Sequence, residues 1–530
     1  MRFQRLVSSA GALFGLGLLL GCSDELRGVA EPPYHAPPGE ANSSSGGTSS
    51  GATPSTAGKS SGHGGKGSSG GNDATGNAGG DGDVGTASGC DVPWSAGLVG
   101  ADDSCDLDNL PDGGVVLKGD ITKDLSLPGG KSYVLHGETR VMGGASLILK
   151  PCTKIIGENH DAVLLIRPGA KIEAVGEQDA PILFTSSQPK GSRAPGDWGG
   201  LIILGNARNN QATNIVKPPI EGLVHAEFYG SNTDAQNGES SGSLVYVRVE
   251  YVGKQIAADN EINGITFGAV GSGTKVSHVE VANCTDDCFE WFGGTVNADH
   301  LISLNCDDDE FDTDNDFSGT VQFAFGRQFL TTQEADSNGF EMDTANPAFQ
   351  PGPPDPNGQA TLNMMDPVLP LTTTKWSNVT LCGQGPEQSL SPPRIGAVLR
   401  RNVAASITNT ILTGFAYGGL SVRDDSKPVT THSLVFENGK DGMTTVAPQP
   451  DNKTKSEPGT FFVEENANGV DAPPGYCDCW ANPPAPFPLE AVEGGTPFGE
   501  DADANYIGAF KRADVASNWM IGKWVSWDEE

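Results

Sequence analysis

The 530-residue chain is short of positive charge. Lys and Arg number 33 against 67 Asp and Glu, for a net charge of −34. A surface of that sign repels phosphate backbones and anionic headgroups, which excludes nucleic acid as a partner and favours cations or basic and neutral surfaces. Long hydrophobic runs are also missing. The apolar stretch 10–20 is too short to cross a bilayer, and no amphipathic helical pattern follows it. There is no Walker loop and no His-Glu-x-x-His pair, so the sequence carries no signature of nucleotide or zinc-peptidase chemistry.

What is present at the N-terminus is a leader. Arg2 and Arg5 precede the apolar stretch, and Leu19-Leu20-Gly21-Cys22 follows, the basic, apolar and small-residue order of an export signal. The last four residues resemble the lipobox of bacterial lipoproteins. That resemblance implies removal of residues 1–21 and a lipid on Cys22. Ser23 follows, where Asp would mark inner-membrane retention, so the expected location is the outer membrane, with the membrane itself a partner through the anchor. Without the leader, 31 basic and 67 acidic residues remain, net −36. Residues 41–89 are mostly Gly, Ser, Thr, Asn and Ala, a composition that cannot bury enough surface to fold. A coil of about 60 residues there reaches roughly 40–45 Å. The expected layout is a leader (1–21), a lipidated tether (22–89) and a folded domain (90–530).

From Cys90 on, short β-branched or Leu-rich runs alternate with turns, as at 134–135, 146–149, 162–166, 182–185, 201–204 and 244–251. Residues 278–294 recur at 300–316, 22 positions later. His278 falls on His300, Asn283 on Asn305, Cys284 on Cys306, Asp286 on Asp308, Asp287 on Asp309 and Glu290 on Asp312. A period of about 22 residues with short strands is that of a solenoid whose coils stack. The predicted fold is all-β: a single-stranded right-handed parallel β-helix of about ten coils, the usual crossover hand, preceded by the disordered linker. Segments 264–267, 288–291, 310–313 and 339–342 should share one strand position, continued by 396–399 and 419–422. A second column should hold Arg248, His278 and His300. Pro-rich stretches near 345–375 and 447–500 read as insertions. Tyr506–Phe510 reads as a strand, and Trp519, Trp524 and Trp527 as a terminal cap.

Stacking turns matched residues into neighbours about 4.8 Å apart. Cys284 over Cys306 then fits a disulfide, with a metal pair as the alternative. Cys22 aside, nine Cys remain, so one thiol is left over or pairs between molecules. Asn283 over Asn305 should form an amide ladder. Asp287 over Asp309, and Glu290 over Asp312 over Glu341, should form columns of like charge. Each pair costs about 3–4 kcal/mol at an effective dielectric near 20. A hard cation, raised carboxyl pKa values or full solvation would offset that cost. Asp312, Asp314 and Asp316, at every second position, match the alternation of Ca²⁺ loops, although Phe317 and Phe323 stand where an EF-hand needs Gly and Glu. The candidate metal ligands are therefore Asp287, Glu290, Asp309, Asp312, Asp314, Asp316 and Glu341, with Ca²⁺ as the ion. The same acids would also suit a solvated edge that prevents wrong strand pairing.

Asp286-Asp287-Cys288-Phe289 resembles the Asp-Asp-Cys-Ile run of polygalacturonase-type glycoside hydrolases, which implies an acid–base role for Asp286, Asp287, Glu290, Asp309 and Asp312. The Gly-His-Gly of those enzymes is absent, and Arg394-Ile395-Gly396 offers only part of their Arg-Ile-Lys. A Ca²⁺-dependent polysaccharide lyase would need a basic residue, for which Arg400, Arg401 and Arg423 are available. Segments 144–151, 197–207, 261–274, 292–297 and 506–510 together resemble a family of secreted or lipid-anchored bacterial β-helix proteins of the cell surface. That family implies the fold and the location but brings no catalytic residues. Cys152 departs from its pattern, which implies a local disulfide. The expected role is a Ca²⁺-stabilised surface module that binds a polysaccharide or another surface protein, with a carbohydrate-active enzyme as the alternative.

Overall fold

A computed structural model describes residues 105–257, 260–328, 337–344, 370–385, 394–423, 426–438, 475–481 and 483–527. The leader, Cys22, the tether and most of both insertions lie outside the described residues. Twenty-three strands form one continuous parallel sheet, and a small antiparallel hairpin pairs Lys254–Ala257 with Asn260–Ile262. Among the described residues there is no α-helix. The protein is a parallel β-helix.

Each coil has three faces. In one coil Lys275–Ser277 lies on the first, Val279–Cys284 on the second and Phe289–Gly294 on the third. The next coil repeats them, with Lys275 paired to Asn297, Val279 to Leu301 and Phe289 to Phe311, always 22 residues on. On the third face the expected column holds: Ile265, Phe289, Phe311, Phe340 and Ala397 are successive partners, and Val398 continues to Ser421. Alternate residues point opposite ways on a strand. Phe289, Trp291 and Phe311 therefore fill the interior, where Phe289 and Phe311 stack at 5.5 Å, while Glu290 and Asp312 face outward.

The corner between the first and second faces is made by single residues in the left-handed region. Tyr246, His278, His300, Phe323, Asn378, Asn409 and His432 have φ between 48° and 61°. For a residue with a side chain that conformation costs about 1–2 kcal/mol. Stacking offsets it, since the rings of Tyr246, His278, His300 and Phe323 follow one another at 4.5, 4.2 and 4.7 Å. The column expected to hold Arg248 holds Tyr246 instead. Arg248 pairs with Glu280, two positions past the corner. At the next corner Asn283 and Asn305, both at φ 58°, form the amide ladder, with Asn305 Nδ2 donating to Asn283 Oδ1 at 2.7 Å.

Disulfides join Cys105 to Cys152, Cys288 to Cys306 and Cys382 to Cys479. The expected Cys284–Cys306 staple is therefore not formed, and Cys284 is a free, buried thiol. Strand spacing fixed how close the two backbones come, but Cys288, across the turn at a Cα distance of 5.5 Å, has the sulfur that meets Cys306.

The end of the chain also differs from expectation. Tyr506–Phe510 is not a strand, and the three tryptophans do not cap the stack. Residues 494–527 run back along its flank as a strap. Gly508 N donates to Asn409 O, Ala509 N to Thr380 Oγ1, Asp501 N to Gln322 Oε1 and Ser526 N to Glu280, and Lys523 Nζ reaches Cys105 O. Trp519 sits edge-on to His300, and buried Trp524 edge-on to His278. The tryptophans expected as a cap thus cover the corner column from the flank.

Candidate functional site: the acidic third face

The outer side of the third face changes character along the stack. Early coils present Val163, Leu165, Ile202 and Leu204, covered by Ile220 and Tyr229 from the 206–230 loop. The middle coils present Glu290, Asp312, Asp314, Glu341 and Asp343. Later coils present Arg400, Arg401 and Arg423. The strand period decides this layout, because Glu290 pairs with Asp312 and Asp312 with Glu341, all on the outward parity. The turn between the second and third faces adds Asp286 and Asp287 on one coil and Asp308 and Asp309 on the next.

These acids are not a solvated edge. Asp287, Glu290, Asp309, Asp314, Asp316 and Asp343 are all buried. Burial first, and neighbouring carboxylates second, push Asp286, Asp287, Glu290, Asp309 and Asp312 well above the usual carboxylate range. Asp314 is raised to about 7 by burial and then by Asp343. Asp316 also reaches about 7 through burial, despite its partner Arg208 at 2.6 Å.

Compensation is uneven. Towards the later coils Arg400 Nε donates to both Asp343 oxygens at 3.0 Å and Arg400 also holds Glu341, while Arg401 holds Asp343. Towards the earlier coils the donors are neutral. Asn263 Nδ2 donates to Glu290, Asp309 N to Asp287 Oδ1 at 2.9 Å, and Asn338 N to Asp309. Asp312 Oδ1 is occluded from solvent and meets no hydrogen-bond donor. One oxygen each from Asp287, Glu290 and Asp312 lies within 4.8 Å of the others, and so does one each from Asp286, Asp287 and Asp308. Asp287 belongs to both trios. An all-oxygen set with this excess of negative charge suits a hard cation such as Ca²⁺.

The other expected ligands are placed differently. Asp309 serves Asn338 N, and Glu341 is taken by Arg400. Asp312, Asp314 and Asp316 do not wrap one loop: Asp312 and Asp314 lie on the strand Phe311–Asp314, while Asp316 follows the corner and is held by Arg208. Their alternation reflects strand parity. Asp308 was within reach of the 22-residue offset from Asp286. Glu221 and Glu261, whose charges also raise the Asp286 pKa, come from non-repeating segments and leave no such trace.

A third group, His278, Asp299 and His300, is as close together, but the two imidazoles are stacked with planes 12° apart. Parallel rings aim their in-plane lone pairs side by side, so they do not converge on one ion. His278 Nδ1 is 2.8 Å from Ser277 Oγ, His300 Nδ1 is 2.5 Å from Asp299, and burial lowers the His278 pKa to about 4.

No curated protein and no solved structure matches the chain significantly. The model of the pectate-lyase-like β-helix domain matches residues 119–482, more than half of the sequence, and the protein belongs to that family.

Proposed function

We propose that the acidic face binds Ca²⁺ through Asp287, Glu290 and Asp312, and that this ion and the adjoining arginine row take an acidic polysaccharide. The protein then works as a surface binding module, held at the outer membrane by a lipid on Cys22. The observation that carries the reading is the convergence of three buried carboxylates within 4.8 Å, with Asp312 Oδ1 lacking a donor. A Ca²⁺ ion coordinates six to eight oxygens, so three protein carboxylates leave positions for the carboxylates of a uronate ligand. Family membership supports a carbohydrate ligand.

Binding is favoured over catalysis by the state of the candidate groups. The charges of Glu341 and Asp343 hold the Arg400 guanidinium well above its ordinary pKa despite its burial, the opposite of what a proton-abstracting base requires. Calorimetric titration of the EDTA-treated protein with CaCl₂, followed by polygalacturonate, tests the reading. Ca²⁺ binding that Asp287→Asn removes, with polymer binding only in its presence, is expected. Absence of Ca²⁺ binding, or release of unsaturated or reducing ends from the polymer, would overturn it.

A further inference from the structure

We infer that the cavity between the C-terminal strap and the His300 corner is a second binding site, for a small organic cation: an ammonium or guanidinium group on a compact body. The cavity has a volume of about 860 Å³, within the range of small-molecule sites. None of its lining residues belongs to the acidic third face.

Its two sides differ in chemistry. The helix side presents His300 and buried Phe323 from the corner column, and the strap adds Trp519. These make an apolar floor. The rest of the lining is charged, with Asp299, Glu500, Asp501, Asp503 and Asp514 against Lys511 and Arg512. Arg512 is held by Asp514, which also accepts from Ser517. Four carboxylates are then left facing one lysine. Asp299 is tied to Ser277 and His300 at 2.5 Å, so it is fixed in position at the inner end, whereas Glu500, Asp501 and Asp503 are exposed at the mouth. A cavity with an apolar floor and several negative charges in the rest of its lining favours a ligand with a positive head and a carbon body. A neutral sugar would leave the charge excess unanswered, and an anion would be repelled.

The side walls are held by a few specific bonds. Gln322 Nε2 donates to Asp501 O and its Oε1 accepts from Asp501 N, both at 2.9 Å. Trp519 Nε1 donates to Ala509 O within the strap. The cavity is thus already shaped without a ligand.

Calorimetric titration at low ionic strength, with EDTA present throughout, tests the assignment using agmatine, glucosamine, glucose and galacturonate as probes. Saturable binding of agmatine or glucosamine, with none of glucose or galacturonate, is expected. Whichever cation binds more tightly shows whether the body is an alkyl chain or a sugar ring. The paired substitution Glu500→Gln and Asp503→Asn, at exposed positions where folding is not at stake, should weaken binding about fivefold or more. Asp312→Asn should leave it unchanged, which separates this site from the Ca²⁺ site. Failure of both cations to bind, glucose binding as tightly as glucosamine, or loss of binding in Asp312→Asn would each overturn the assignment.

Discussion

The Cys288–Cys306 disulfide fastens the turn that carries Asp286 and Asp287 to the following coil, with the two Cα atoms 5.5 Å apart. Asp287, the residue shared by both acidic trios, therefore sits on a covalently fixed turn. Cys284, four residues earlier, is buried and free, and burial pushes its thiol well above its ordinary pKa.

Removing the bond with Cys288→Ala should lower the unfolding free energy by about 3 kcal/mol, the chain-entropy value for a loop of roughly this length. Urea titration under non-oxidising conditions measures it, and an unchanged midpoint would mean the crosslink adds no stability. In the parent protein Cys284 should resist maleimide until the protein unfolds, because a buried protonated thiol is a poor nucleophile.

Stability should fall with rising pH, and fall less steeply when Ca²⁺ is present. Carboxyl groups whose folded pKa is raised stabilise the fold when protonated, so that contribution is complete below their unfolded pKa near 4 and is lost as pH rises through the folded value. Glu310, raised to about 8 by burial, and Asp314 and Asp316, at about 7, set the window. In EDTA the melting temperature should fall from pH 4.5 to pH 8. Added CaCl₂ should recover a share of it that grows with pH, because the ion binds ionised carboxylates. Differential scanning calorimetry at four pH values decides, and a Ca²⁺ effect independent of pH would contradict the assignment of the trio.

Asp312→Asn should stabilise the cation-free protein at pH 8 by about 1–3 kcal/mol, a fraction of the repulsion between stacked carboxylates at an effective dielectric near 20, and it should abolish the response to Ca²⁺. Chemical denaturation with and without CaCl₂ measures both. Destabilisation in EDTA would show that Asp312 is held by a favourable contact instead.

Asn305→Ala should cost about 2 kcal/mol, from the lost 2.7 Å ladder bond and a side chain forced to φ 58°. Asn305→Gly should cost about 1 kcal/mol less than that, since glycine adopts the conformation freely. Equal costs would mean that the ladder alone matters, and urea midpoints distinguish the two cases.

The vertical relations were legible because a repeat fixes register without any knowledge of turns. The offset from His278 to His300 placed Asp287 beside Asp309, Glu290 beside Asp312 and Asn283 beside Asn305. Direction was not legible. Cys284 and Cys288 are both close to Cys306, and only the path of the turn decides which sulfur points at it. Features outside the repeat escaped for another reason. The strap has β-branched and aromatic residues at Tyr506–Phe510, but its backbone makes single hydrogen bonds to Thr380 Oγ1 and Asn409 O on two different strands rather than a ladder along one. Nothing in its own sequence names those partners. Arg208, which neutralises Asp316 from 108 residues away, is invisible for the same reason.

The strap changes what kind of object the stack is. A solenoid held only by neighbouring coils can fray from either end, one coil at a time. Here the bond from Lys523 to Cys105 spans 418 residues of sequence, and the residues on either side of Lys523 grip coils from Asn409 back to Tyr246. Opening either end therefore pulls on a brace anchored in the others, and a linear array becomes a cooperative unit. The brace also follows, in chain order, every coil that it touches. It can seat only when every coil beneath it is in register, so its docking acts as a check that the array has been completed without a slip.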